Sequence, residues 1–180
     1  PKQLLPLAGK PVLVRSVEAF KKIPFVKQIV VVTSAENREV LKKYFSDLIF
    51  AQPGQTRLAS VMSGVNALDP KIQAIAVHDG ARPLVNPLAA QKCLLRGFLE
   101  EAAVLAVPVK DTVKQVRNGQ VQQTLERASL WAAQTPQCYK ANVLRKALER
   151  FGHYQDATDE SQLVERLGVS VKIEESDYKN

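Results

Sequence analysis

The stretch Ile75-Ala76-Val77-His78-Asp79-Gly80-Ala81-Arg82-Pro83 decides how the rest of the chain is interpreted. It opens with an unbroken apolar run, which predicts a strand buried on both faces, and then breaks into a polar turn that carries an acid and a base. Ligands of open α/β sheets bind just beyond the carboxyl ends of the strands. Asp79 and Arg82 are therefore candidates for holding a phosphorylated or metal-bound ligand from two sides. A salt bridge within the turn explains the two residues equally well when they are taken alone.

Helical and strand patterns alternate on both sides of this stretch. Apolar runs predict further strands at residues 28–33, 48–51, 102–108 and 169–173, and helical spacing predicts helices at residues 12–20, 35–44, 87–101, 140–150 and 159–167 and after the Pro53-Gly54 loop. This alternation predicts an α/β fold with a doubly wound, mostly parallel, Rossmann-like sheet. Residues 1–180 show no repeat and no second domain, so we expect a single domain.

Residues 112–124 follow a different pattern, in which polar and apolar residues alternate about Asn118-Gly119. Asn-Gly accepts the positive φ angles of a type I′ turn and is the strongest short signal for a hairpin. Residues 130–133 have the pattern of a return strand. The sequence therefore predicts a β-hairpin arm, over residues 110–130 approximately, that protrudes from the sheet.

Composition limits the class of partner. The net charge of +7 indicates an anionic partner, but the Lys and Arg residues are spread along the chain, which favours phosphate-bearing metabolites over nucleic acid. Cys93 and Cys138 are far apart, which indicates buried thiols in a reducing cytoplasm. No apolar run approaches the ~18 residues that a membrane span needs, so we expect no membrane partner.

Seven blocks of the sequence, in order, match one family: Pro1-Lys2-Gln3, Pro53-Gly54-x-x-Arg57-x-x-Ser60-Val61, His78 to Pro83, Val109 to Lys114, Thr124-Leu125-Glu126-Arg127, Thr135-Pro136-Gln137 and Thr158-Asp159-Glu160. The chain resembles the 2-C-methyl-D-erythritol 4-phosphate cytidylyltransferases over its whole length. The resemblance implies that CTP and 2-C-methyl-D-erythritol 4-phosphate react to give 4-diphosphocytidyl-2-C-methyl-D-erythritol and pyrophosphate in the non-mevalonate route to isoprenoids.

The resemblance also assigns residues to the nucleotide. Lys2 is expected to contact the triphosphate as a catalytic residue, and Gly54, Arg57, Ser60 and Gly80 are expected to bind the nucleotide. Many relatives have a charged residue at position 55 and an acid at position 59, where this chain has Gln55 and Ala59, so these two side chains are assigned no role. The open alternatives are a solvated lysine at Lys2, a structural pin at Arg57 and a solvent-facing Ser60.

The expected binding residues for methylerythritol phosphate are Asp79, Arg82, Thr112, Arg127, Thr135 and Thr158, and Arg127 is also expected to be catalytic. Three of them have ordinary alternatives: Thr112 as a strand residue, Arg127 as an exposed charge of the arm, and Thr158 as the N-cap of a helix that opens at Asp159. The family uses Mg²⁺, which we expect the CTP phosphates and water to hold without a set of protein ligands.

The resemblance further implies a homodimer formed by exchange of arms, located in the cytoplasm or, in a plant, in the plastid. The family's Gly-rich loop precedes Pro-Lys-Gln and a further lysine follows the position of Asn180. We therefore expect the 180 residues to be a nucleotidyltransferase domain that is truncated at both ends and inactive as a free chain.

Three other functions are alternatives. Another sugar- or alditol-phosphate nucleotidyltransferase of the same architecture would not need Thr112 and Arg127 on an arm. A NAD-dependent oxidoreductase is disfavoured, since no G-x-G-x-x-G follows a strand. A basic nucleotide- or RNA-binding module would need interleaved aromatic residues or a basic patch, and the sequence has neither.

Overall fold

Helices and strands alternate through most of the protein, as the sequence predicts. The computed structural model describes residues 2–154 and 157–180. The strands in this part of the chain are β1 Pro6–Leu7, β2 Lys10–Pro11, β3 Val30–Val32, β4 Ile49–Ala51, β5 Ala74–Val77, β6 Ala102–Pro108, β7 Lys114–Arg117, β8 Gln120–Thr124, β9 Trp131–Lys140 and β10 Lys172–Glu175. The α-helices are α1 Val12–Lys21, α2 Ala35–Lys42, α3 Arg57–Asn66, α4 Pro87–Leu99, α5 Ala141–Phe151 and α6 Glu160–Arg166, and 3₁₀ turns span Lys2–Leu4 and Arg127–Ser129.

The central sheet has the strand order β10-β6-β9-β5. Strand β10 is parallel to β6, while β9 is antiparallel to both β6 and β5. Strands β3 and β4 form a parallel pair that is not joined to this sheet among the described residues. The predicted α/β class is confirmed, and the sheet is mixed because β9 runs between two strands in the opposite direction.

Strand β9 is longer than the sequence predicts. The expected return strand at residues 130–133 is only its beginning, since β9 continues to Lys140 and crosses the whole sheet. Its pairing with β6 shifts so that residues 134–136 stand opposite Leu105 alone. This irregularity contains polar residues and a proline, which are unusual in a central strand and which hide the strand from sequence patterns.

The last strand also differs from its prediction at residues 169–173. Helix α6 ends near Gly168, which has a φ of 81°, and Val169 and Val171 then pack against the core. Hydrogen-bonded pairing begins only where Lys172 lies beside Ala103. The apolar pattern therefore marks residues that are partly buried before the strand begins.

Helices cover both faces of the central sheet, as a doubly wound fold requires. On one face α5 and α6 pack against Ile75 and Tyr139, and on the other α1 and α4 pack against Leu105 and Cys138. A smaller cluster joins α1 to β3 and α2. Strand β6 is buried from Ala102 to Val107, which explains its continuous apolar sequence.

The two cysteines are buried thiols, as predicted. None of the helices in the described part of the chain has the length and hydropathy that crossing a membrane requires.

The arm is a two-stranded hairpin, as predicted. Strands β7 and β8 pair antiparallel, and the turn between them has φ angles of 51° at Asn118 and 76° at Gly119. Every residue of both strands is exposed. The arm therefore contributes nothing to the buried core.

Candidate active site

The turn that follows β5 brings an acid and a base together. The amide of Arg82 donates to the carbonyl of Asp79 at 2.9 Å, which closes the turn, and the Nε of Arg82 donates to Oδ2 of Asp79 at 3.1 Å. Both side chains are partly exposed at the carboxyl end of the strand. The salt bridge that the sequence allowed is therefore present, at the edge of the sheet where ligands bind.

His78 holds this turn against β9. Its Nε2 lies 3.0 Å from the carbonyl oxygen of Arg82 and its Nδ1 lies 3.0 Å from Oγ1 of Thr135. A carbonyl only accepts, so Nε2 carries the proton and Nδ1 accepts the hydroxyl proton of Thr135. The same hydroxyl accepts from the amide of Asp79 at 3.1 Å. Burial lowers the pKa of His78 to about 4, so the ring is neutral at neutral pH.

Arg57 forms a fork with Glu160. Its Nη1 donates to Oε1 and its Nη2 donates to Oε2 at 3.1 Å. Glu160 is fully buried whereas 43% of the Arg57 side chain is exposed. Nη2 of Arg57 also lies 3.9 Å from Oδ1 of Asp79. The structural pin that the sequence left open for Arg57 is thus seen, although Arg57 also faces the strand-end turn.

The charges of this pair respond to burial in different ways. Burial raises the pKa of the Glu160 carboxyl above its usual value, and the guanidinium of Arg57 acts against that shift. Partial burial acts to lower the pKa of Arg57, but the hydrogen bond and charge of Glu160 outweigh it, so this pKa is raised. Arg57 is therefore cationic throughout the physiological range.

Hydrogen bonds to Ser60, in the first turn of α3, close the Pro-Gly loop that precedes this helix. The amide of Gly54 donates to Oγ of Ser60 at 3.0 Å, and this hydroxyl donates to the carbonyl of Thr56 at 3.0 Å. A Cβ on Gly54 would lie 2.4 Å from the Cβ of Ala59. Glycine is needed here because the loop packs tightly on the first turn of α3.

Thr158 and Asp159 precede α6, and Asp159 caps it. The Asp159 side chain accepts from the amide of Gln162 at 3.1 Å, so the alternative of Thr158 as the N-cap is wrong. The other oxygen of the same carboxylate accepts from Nε2 of the buried Gln137 at 2.9 Å, which fixes the orientation of the cap. Thr158 instead bonds to the Gln162 side chain.

These elements surround a pocket of about 280 Å³. It is lined by Arg57, Asp79, Arg82, Ala133, Gln134, Thr135, Gln137, Thr158 and Asp159. Five residues predicted from the sequence therefore meet in one pocket. The other six predicted residues are not in its lining: Lys2, Gly54, Ser60, Gly80, Thr112 and Arg127.

Two of those six lie at the base of the arm. Thr112 is exposed, and the guanidinium of Arg127 donates to the carbonyl of Lys110 at 2.7 Å. Within one chain, therefore, Arg127 supports the base of the arm.

Several residues of the site were missed by sequence reasoning. The sequence assigns no role to Gln134 or Asn180, and Gln137 appears in it only as the last residue of the Thr-Pro-Gln block. Asn180 donates to Oε1 of Gln134 at 3.0 Å and to the carbonyl of Thr135 at 2.8 Å, and its own carbonyl accepts from Arg82 at 3.1 Å. Glu160 was seen only as a letter of Thr-Asp-Glu, since its burial depends on tertiary packing.

The carboxylates of the pocket do not form a metal-binding set. Asp79 is bonded to Arg82, and Asp159 is bonded to Gln137, Ser161 and Gln162. Across residues 2–154 and 157–180 there is no group of three or more His, Cys, Asp or Glu side chains that could hold a metal ion. The pocket thus offers two arginines and hydrogen-bonding groups, which suit a phosphorylated and hydroxylated ligand.

Comparisons with known proteins point in one direction. The family model of 2-C-methyl-D-erythritol 4-phosphate cytidylyltransferase (IspD) matches residues 1–180. The enzyme of that name from Caldanaerobacter subterraneus is 41% identical over 191 residues, which covers 99% of this chain and 83% of the relative. The rice relative, whose name adds "chloroplastic", is 38% identical over 188 residues and covers 100% of this chain and 63% of the relative.

Solved structures that resemble this chain carry names of the same family. The Francisella tularensis enzyme of the same name superposes with a TM-score of 0.85 at 31% identity, covering 100% of this chain and 86% of that one. The 4-diphosphocytidyl-2C-methyl-D-erythritol synthase of Anaerococcus prevotii superposes with a TM-score of 0.89 at 26% identity, covering 97% of this chain and 81% of that one.

Proposed function

The chain belongs to the 2-C-methyl-D-erythritol 4-phosphate cytidylyltransferase family, and on this premise we propose that the pocket at the end of β5 binds the methylerythritol phosphate. The reaction of the family joins CTP to 2-C-methyl-D-erythritol 4-phosphate on the way to isoprenoids. One observation carries the proposal: Arg57, Asp79, Arg82, Thr135 and Thr158 come from distant parts of the chain and line a single pocket.

The residue types suit a substrate that has one phosphate and several hydroxyls. The guanidinium of Arg82 uses Nε for Asp79 and Nη1 for Asn180, and a guanidinium has five N–H donors, so it retains donors for a phosphate. The Asp79 carboxylate accepts hydrogen bonds from hydroxyls of the sugar alcohol. Thr158 supplies a further hydroxyl to the lining of the pocket.

The chemistry requires positive charge rather than a protein nucleophile. A phosphate oxygen of the substrate attacks the α-phosphorus of CTP in line, and pyrophosphate leaves. The chain must bring two anions together and stabilise the additional negative charge of the transition state. Arg57 and Arg82 supply cationic groups in the pocket. We propose that Lys2, in the exposed 3₁₀ turn near the start of the chain, contacts the triphosphate.

The nucleotide is proposed to lie along the Gly54–Ser60 loop and the turn at Gly80. Backbone amides and carbonyls of a tight loop present both donors and acceptors to the edge of a base. The Ser60 hydroxyl is engaged with Gly54 and Thr56, so its part in this proposal is to hold the loop in shape. The proposal includes Mg²⁺ carried by CTP, with phosphate oxygens and water as its ligands, which would offset charge on the triphosphate.

We further propose that two copies assemble through their arms. The apolar residues Val116 and Val121 pair across the hairpin and are 55% and 60% exposed, and an isolated two-stranded hairpin is at best marginally stable in water. A two-fold dimer lets each arm lie on the other copy and lets Thr112 and Arg127 serve the neighbouring site. The cytoplasm stays the predicted location, with the plastid as the alternative for a plant protein.

The test of the pocket is Asp79→Asn in the full-length protein. We expect pyrophosphate release from CTP and methylerythritol phosphate to lose roughly 10- to 100-fold in kcat/KM, because hydrogen bonds to a charged acceptor are lost. The melting temperature should change little, since 42% of the Asp79 side chain is exposed. Asp47→Asn, at an exposed ion pair with Lys21, is the matched control. Normal turnover by Asp79→Asn would remove Asp79 from the site, and a large fall in melting temperature would assign it a structural role.

A further inference from the structure

We propose that Glu160 is a positioning residue. Its buried carboxylate holds the Arg57 guanidinium near Asp79 but beyond hydrogen-bond distance, so that Asp79 stays able to accept a hydrogen bond from a substrate hydroxyl. The inference rests on the proposed binding of methylerythritol phosphate at Asp79. It assigns to Glu160 a function in substrate affinity that is separate from the stability of the fold.

The four charges involved alternate in space. Glu160 bonds Arg57 through both oxygens, Arg57 lies beside Asp79, and Asp79 bonds Arg82. The row links the start of α6, the start of α3 and the turn after β5. A guanidinium that is held by a fork has a fixed plane, because two parallel hydrogen bonds define its orientation.

The distances to Asp79 differ on its two sides. Oδ2 accepts a hydrogen bond from Arg82 at 3.1 Å. Oδ1 lies 3.9 Å from Nη2 of Arg57, which is too long for a hydrogen bond but close enough for attraction between the charges. Among residues 2–154 and 157–180 no hydrogen bond to Oδ1 is seen, so this oxygen of a pocket-lining residue has a cation near it and can accept a hydrogen bond from a ligand.

The buried position of Glu160 sets this separation. Its carboxylate is fully buried, so it cannot follow Arg57 towards the pocket. Glutamine at position 160 would bind the guanidinium more weakly, since it carries no negative charge and only one of its two terminal atoms can accept a hydrogen bond. Arg57 would then shift towards its other anionic neighbours, Asp79 and Asp159, and at Asp79 it would occupy Oδ1 in competition with the substrate.

The experiment compares Glu160→Gln, Arg57→Met and the double variant in the full-length enzyme. For Glu160→Gln we expect the KM for methylerythritol phosphate to rise roughly tenfold or more, as for the loss of a hydrogen bond to a charged group. The KM for CTP should change much less. In the Arg57→Met background the same substitution should leave the KM for methylerythritol phosphate unchanged, because no guanidinium remains to occupy Asp79. Glu165→Gln, at an exposed position of the same helix, is the matched control.

Other outcomes overturn the inference. Glu160 would only hold α6 in place if both KM values rose equally while kcat fell. The same conclusion would follow from a lower melting temperature with unchanged KM values. If Glu160→Gln does not fold, Arg57→Lys is the second variant: lysine cannot form the fork, so the KM for methylerythritol phosphate should again rise selectively, and an unchanged value contradicts the inference. If the wild-type enzyme and Asp79→Asn have the same KM for methylerythritol phosphate, the proposed site fails first.

Discussion

The turn after β5 and the hairpin arm are both short polar segments, yet the protein holds them in opposite ways. The turn is tied to Thr135 of β9 through Nδ1 of His78 and the amide of Asp79, and it is closed on itself by Nε2 of His78 at the carbonyl of Arg82. The arm strands are exposed along their whole length and hydrogen-bond to each other. The geometry of the turn is thus set within one chain, whereas the position of the arm calls for a second surface.

This difference bears directly on the site residues. Asp79 and Arg82 of the turn and Thr135 of β9 meet in one pocket of a single chain, but Thr112 and Arg127 at the arm base are not in its lining. The proposed exchange of arms between two copies would bring the two groups together.

The largest expected effect comes from mixing two inactive variants of the full-length enzyme, Arg127→Ala and Lys2→Ala. With shared sites, half of the sites in a mixed dimer carry both intact residues, so roughly a quarter of all sites recover activity. Pyrophosphate release by the mixture, set against each parent alone, measures the recovery. A mixture that stays inactive while mass spectrometry detects mixed dimers would confine Arg127 to its own chain.

A smaller effect is expected on the free energy of unfolding when an apolar side chain of the core or of the arm is shortened. Leu144→Ala, at a fully buried position of α5, should lower the free energy of unfolding by about 2–5 kcal/mol, because it leaves a cavity in the core. Val121→Ala on the arm, where Val121 is 60% exposed, should change it by less than about 0.5 kcal/mol in the monomer. Urea unfolding at several protein concentrations makes the comparison. If the loss of unfolding free energy in Val121→Ala grows as the fraction of dimer rises, the Val121 side chain lies in an interface.

The last expected effect is a pH dependence of stability at His78. Burial lowers its pKa from 6.5 to about 4, so between these values the unfolded chain binds a proton that the folded protein excludes. Stability therefore falls as the pH is lowered through this window, by on the order of 3 kcal/mol in total. His78→Gln keeps a donor and an acceptor without the titration, and its unfolding free energy should lose less over the same range. Parallel pH profiles of the two proteins would contradict this assignment.

The sequence was sufficient for most of the fold. Apolar runs separated by helical spacing identified the α/β class, and Asn118-Gly119 located the arm. Strand β9 was underestimated because its polar residues 134–137 are satisfied by partners that are distant in sequence, such as His78 for Thr135 and Asp159 for Gln137. The pattern of residues adjacent in sequence does not predict such distant partners.

Family motifs in the sequence name Asp79, Arg82, Thr135 and Thr158 as candidates, and the structure places these four residues in one pocket lining. Their adjacency depends on the pairing of β5 with residues 137–140 of β9, which the sequence does not predict.

Only the tertiary structure decided which charges pair. Glu160 and Arg57 are 103 residues apart in the chain, and the sequence treats both as ordinary charged residues. Packing of α6 against the core buries Glu160 completely, and a buried carboxylate is tolerated when a paired cation satisfies it. Residue spacing determines local structure because helices and strands repeat at fixed periods, whereas the neighbours of a charge depend on which distant elements the core brings into contact.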